Sequence, residues 1–251
     1  YQSMCGGLPA PEAADNPLGY KFSWSPRGAI TAALKGALFM MDGARTEVPD
    51  GQVPAHARDL FIEPCFAVEV LPNRDSLLYR ELYNIPDVTT MFRGTLRYRG
   101  WGRLMTAFRQ IGLLSEQTQL TGCGPEKKQR PSWPHVLRTL AGCDASADLR
   151  AALLRKTGLD SGDKLASGHR LLDALEFLDM FDDENEVDVF PCSVLDAFCA
   201  LLQERLTFNR QERDMVLMHH RFTLQHPDES LEYLESTLIA YGDPNGYSAM
   251  V

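Results

Sequence analysis

Across residues 89–101, basic and apolar side chains alternate with the two-residue period of a β-strand. Arg93, Thr95, Arg97 and Arg99 fall on one face, and Phe92, Leu96 and Tyr98 fall largely on the other. The period then lengthens. Leu104, Phe108 and Ile111 recur at helical spacing and predict a helix from about 101 to 114. Upstream, residues 20–24 are short, aromatic and strand-like. Ser25-Pro26 predicts a helix start, with serine as N-cap and proline at the first helical position. Residues 38–48 read as a hairpin around Asp42-Gly43. Residues 66–70 form an apolar strand followed by the polar turn 72–76, where Ser76 is placed to cap a helix over 77–83.

From 116 to 207 the patterns are helical, broken by Gly and Pro, with little β-branched content. Strand character returns at 213–224. A turn at His226-Pro227-Asp228 then leads into a second strand over 231–241. This long hairpin most simply rejoins the first sheet. The expected fold is therefore an α/β (α+β, mixed-sheet) domain made of residues 1–115 and 208–251, with a helical subdomain, 116–207, inserted. The stretch 241–248 reads as a connection leading into a further helix.

Charge changes the meaning of the alternating strand. The chain of 251 residues carries a net charge of -9, yet residues 88–115 hold five arginines and no acid. A guanidinium fork suits two-point contact with a carboxylate or phosphate. A basic face in an acidic protein therefore points to an anionic small ligand and away from nucleic acid or a membrane surface. The alternative is the solvated face of an edge strand. No run approaches the roughly 18 apolar residues of a membrane span. The six cysteines, Cys5, Cys65, Cys123, Cys143, Cys192 and Cys199, are scattered without a CxxC pair and read as reduced intracellular thiols. Cys192 and Cys199 are expected on one helix face.

Two further segments carry candidate chemistry. Residues 5–12 (CGGLPAPE) form a Gly/Pro loop at an expected strand end, where glycines permit close backbone approach to a ligand. Cys5 could take part in a site there or be an inert buried thiol. Residues 73–76 (NRDS) follow a strand and open a helix, so Arg74 could hold a carboxylate with help from the helix N-terminus or simply pair with an acid. No metal site is expected: the acidic run 179–188 lacks EF-hand spacing, and the histidines show no ligand spacing. There is no GxGxxG, P-loop or GxSxG pattern.

The segments CGGLPAPEAADNPLGYKFSWSPRG, LPNRDS, FRGTLRYRG and YGDPNGYSAM together resemble saccharopine dehydrogenases of the glutamate-forming type. AYGDPNGYSAM in particular resembles the dehydrogenase part of the bifunctional aminoadipic semialdehyde synthases. The resemblance spans residues 1–115 and 208–251 and is weak between them. It implies a substrate and dimerisation domain with a helical insertion, and a Rossmann domain outside this chain. The implied reaction oxidises saccharopine with NAD or NADP, slightly favouring NAD, and releases glutamate and aminoadipate semialdehyde. No cofactor is expected on this chain alone, and the isolated chain is expected to be inactive. Expected partners are saccharopine, the missing Rossmann domain and a second subunit; cytosol and mitochondrion both fit. The resemblance also implies that Arg74, Thr95, Leu96 and Arg97 bind saccharopine, Leu96 through its main chain, and that Cys5 has a supporting role near the reacting centre. Met4 stands where the family often has tyrosine.

Overall fold

The computed structural model describes residues 1–23, 25–62, 64, 66–120, 130–187 and 192–250. In chain order the strands are β1 (Gln2–Pro9), β2 (Ala37–Met41), β3 (Ala44–Val48), β4 (Arg58–Leu60), β5 (Val68–Pro72), β6 (Arg74–Asp75), β7 (Phe92–Tyr98), β8 (Asp214–Gln225) and β9 (Leu231–Tyr241). The α-helices are α1 (Pro26–Leu34), α2 (Leu78–Leu82), α3 (Trp101–Ile111), α4 (Trp133–Ala141), α5 (Leu149–Thr157), α6 (Leu165–Phe177) and α7 (Val194–Arg205). No helix among the described residues is long and apolar enough to cross a membrane.

Six strands form a mixed sheet in the order β4-β5-β7-β1-β8-β9, and a small second sheet runs β3-β2-β6. In the large sheet β1 and β7 are parallel, with Cys5 level with Thr95. The other neighbours are antiparallel. The arginine strand β7 thus lies inside the sheet, between β5 and β1, so it is not an edge strand. The expected hairpin does rejoin this sheet, since Asp214–Arg221 of β8 pair along the whole of β1.

Local expectations hold where the signal is local. Ser25 accepts a hydrogen bond from the Gly28 N–H at 3.4 Å and caps α1 behind Pro26. Asp42 and Gly43 both take positive φ, 49° and 80°, as the tight turn between β2 and β3 requires. Leu104, Phe108 and Ile111 are buried along α3. That helix and α1 carry α4–α7, and one continuous core runs from Met4 to Leu217. Phe108 and Phe198 meet edge-on in it, with ring centroids 5.1 Å apart.

Other expectations are corrected. Residues 20–23 form no strand; Phe22 makes a single bridge to Thr207, and Trp24 lies outside the described residues. Ser76 does not cap α2. Its hydroxyl accepts from the Arg93 N–H at 3.0 Å, while Asp75 Oδ1 takes the Leu77 and Leu78 N–H groups at 2.8 and 3.4 Å. Cys199 lies on α7, but Cys192 precedes its N-cap, Ser193, so the two do not share a helix face. Both are buried, and burial pushes the Cys199 thiol up to about 12, against the pull of Arg27. Residues 247–250 form no helix. Met4 is a core side chain, 1% exposed.

Candidate functional site

A cavity of about 510 Å³ opens on the face of the large sheet that carries α1. Strand alternation decides which side chains reach it. Thr95 and Arg97 project from β7, Cys5 from β1 and Leu71 from β5, and all four line the cavity. Arg74 reaches it from β6. Four of the five residues singled out from the sequence therefore converge. The fifth, Leu96, turns its side chain to the opposite face, where it is fully buried. Its carbonyl nevertheless serves the site by accepting from Arg97 Nη1 at 2.8 Å. Arg93 and Arg99 belong to the same basic face but do not line the cavity. Arg93 lies over the Tyr79 ring at 4.3 Å, and Arg99 pairs with Asp59 at 3.2 Å. The reason is length: four alternate residues span about 20 Å of strand, more than a small ligand covers.

Arg97 is the most constrained cation. It is 7% exposed, and its guanidinium packs against both the Tyr20 and Trp101 rings, 5.0 and 5.3 Å from their centroids. Its buried Nε–H has no acceptor among the described residues. Neither Arg97 nor Arg74 has an ion-pair partner among those residues, whereas Lys21, also on the cavity, holds Glu212 at 2.5 Å. An arginine so buried without a carboxylate is costly unless an anion is its intended partner. Arg74 stores a different kind of strain. Its φ is +55°, left-handed for a residue with a Cβ, and β6 holds it there by pairing with β2. The helix N-terminus expected to assist Arg74 is not open to a ligand, because Asp75 occupies its amides. Burial pushes the Cys5 thiol above its ordinary value, with Arg97 pulling the other way. Cys5 is thus a neutral thiol on the cavity wall.

Gly6 and Gly7 lie within β1 rather than in a loop, and neither has positive φ. Gly6 is needed because a Cβ there would stand 2.7 Å from Leu96 Cβ. Gly7 is crossed by Met250. Sequence reasoning also missed Tyr20, Lys21, Trp101, Asp214 and Met250 as cavity residues. The aromatic run at 20–24 was the available signal, but it read as a strand.

Among the described residues, neither strand-to-helix turn beside the cavity offers the open amides that a dinucleotide takes. Such a site needs free backbone amides at a glycine-rich turn into a helix. Strand β1 runs instead into Pro9-Ala10-Pro11 and a 3-10 turn. The turn from β7 into α3 does carry Gly100 and Gly102. Their N–H groups are already taken by the buried carboxylate of Glu69, at 2.8 and 2.6 Å.

The model of the saccharopine dehydrogenase C-terminal domain matches residues 1–251. The chain belongs to that family. It is 38% identical, over its whole length, to the saccharopine dehydrogenase [NADP(+), L-glutamate-forming] of Saccharomyces cerevisiae, and 37% identical to that of Pyricularia oryzae. It covers 54% of each of those proteins. It is 36% identical to the mitochondrial alpha-aminoadipic semialdehyde synthase of Rattus norvegicus and covers 26% of it. The apo saccharopine dehydrogenase (L-Glu forming) of S. cerevisiae superposes with a TM-score of 0.86 at 35% identity, over 99% of this chain and 54% of that one. The chain thus spans about half the length of its fungal relatives. Identity alone does not favour the bifunctional type over the fungal one. The cofactor in the fungal names, NADP(+), runs against the slight preference for NAD.

Proposed function

We propose that this chain is the substrate-binding portion of an NAD(P)-dependent saccharopine dehydrogenase, an oxidoreductase acting on the CH–NH bond of saccharopine in lysine metabolism. The observation that carries this reading is a pair of guanidiniums on one cavity, Arg74 and Arg97, that have no carboxylate partner among the described residues. Saccharopine has three carboxylates and needs such groups. In this reading Arg97 and Arg74 clamp carboxylates and Thr95 donates or accepts through its hydroxyl. The Leu96 carbonyl holds Arg97 in place, and Cys5 orients the site.

A nicotinamide, when bound, would supply the hydride acceptor. In keeping with relatives about twice as long, another domain of the same protein would hold it. Residues 1–115 with 208–251 then act as the saccharopine-binding unit and 116–207 as a helical insertion, a division supported by the return of β8 to pair beside β1. The test is reduction of NAD and NADP, assayed in parallel, by the full-length protein with saccharopine. Reduction with saccharopine and not with lysine supports the reading; none with either cofactor refutes it.

A second role, association with another copy of the chain, is favoured by β9. That strand forms the open edge of the sheet and exposes Leu231, Tyr233 and Leu238.

A further inference from the structure

The path of residues 242–250 is set by one buried carboxylate. Asp214 opens β8, lies level with Pro9 and is 8% exposed. Its Oδ1 accepts from the Ala249 N–H at 2.9 Å, and its Oδ2 accepts from the Ser248 hydroxyl. Its main-chain carbonyl accepts from the Gly242 N–H at 2.9 Å. Both ends of the segment are thereby tied to the same residue. Glycine is required at 242, where a Cβ would stand 2.1 Å from Asp214 Oδ1. Between these ties the chain turns on itself through Gly246 N–H to Asp243 O and Asp243 N–H to Tyr247 O, both at 3.0 Å.

The strap so formed comes back over β1 and seats Met250 on Gly7. A Cβ on Gly7 would meet Met250 Cγ at 3.1 Å and Sδ at 3.2 Å. Gly7 follows Cys5 by two residues on β1, as Arg97 follows Thr95 on β7, and Cys5 and Thr95 are level. Met250 therefore stands on the strand next to Arg97. It is 55% exposed and lines the cavity together with Asp214, so it is not a core side chain. An unbranched thioether there gives an apolar, adaptable wall.

We propose that Asp214 is a positioning residue that folds the 242–250 strap onto β1, and that Met250, held on Gly7 in this way, limits the length of the ligand arm that fits beside Arg97. The inference rests on the reading of this cavity as the saccharopine site. A guanidinium fixes a carboxylate but does not measure the methylene chain behind it; an apolar wall does.

The test uses the full-length protein, saccharopine, and two analogues, each lengthened by one methylene in one of its two arms. In Met250→Ala, kcat/KM for one lengthened analogue relative to saccharopine should rise about tenfold, the scale of one methylene in an apolar pocket. Asp214→Ala should shift the same ratio in the same direction while lowering kcat/KM for saccharopine. Ser248→Ala removes a single tie and should do so more mildly, which keeps the test intact if Asp214→Ala does not fold. A merely structural role would change Tm without changing the ratio. Wild-type protein indifferent to saccharopine, or to Arg97→Lys, would overturn the site reading. Normal dependence on Arg97 with unchanged selectivity in Met250→Ala and Ser248→Ala would overturn the strap inference alone.

Discussion

Arg97→Lys separates charge from geometry at the centre of the site. Lysine keeps the positive charge but has one point of contact where arginine has a planar fork. The wild-type side chain is 7% exposed, bonds the Leu96 carbonyl at 2.8 Å and packs against two aromatic rings. With Nη1 engaged by Leu96 and Nε without an acceptor, the remaining N–H groups can meet a carboxylate at two points. Losing one charge-assisted hydrogen bond costs about 1.5–3 kcal/mol. Weaker stacking on Tyr20 and Trp101 adds about 0.5 kcal/mol. The sum, about 2–3.5 kcal/mol, corresponds to roughly a 30- to 300-fold loss of affinity. The assay is the KM for saccharopine in the full-length protein, with thermal unfolding as a control on folding. A KM within about twofold of wild type, with Tm unchanged, would remove Arg97 from the substrate site.

Two further outcomes follow from the buried groups around it. Glu69→Ala leaves the half-buried Gly100 amide and the buried Gly102 amide without this acceptor and should destabilise the fold by about 2–3 kcal/mol in urea unfolding; a loss under about 1 kcal/mol would show that the α3 cap is not needed. Cys5 should alkylate more slowly at pH 8 than an open thiol, with a pH–rate midpoint above the ordinary thiol value. Burial raises its pKa and Arg97 opposes the rise, so Arg97→Met should move that midpoint higher still. A midpoint at or below the ordinary value in wild type would refute the assignment of Cys5 as a neutral group.

The chain's own pattern determined what is local. Alternation over 89–101 defined a strand and put Thr95 and Arg97 on one face, away from Leu96. The Ser25-Pro26 cap, the Asp42-Gly43 turn and the spacing along α3 specified elements that form much as read. Cys5 and Arg74 stood out only as candidates in their own segments, and the resemblance joined them to Thr95, which neither charge nor period could do. What the sequence did not determine depends on groups distant along the chain. Residue 69 supplies the cap of α3 because β5 pairs beside β7, not because of any spacing in the sequence. Ser76 lost its capping role because the neighbouring strand offered its hydroxyl a better-placed amide. Residues 242–250 became a strap because Asp214, far away in sequence, arrives level with Pro9 when β8 joins β1. Periodicity records which face a side chain takes on its own element. Which element stands opposite that face is decided by sheet order and register, and these exist only once the whole chain has packed.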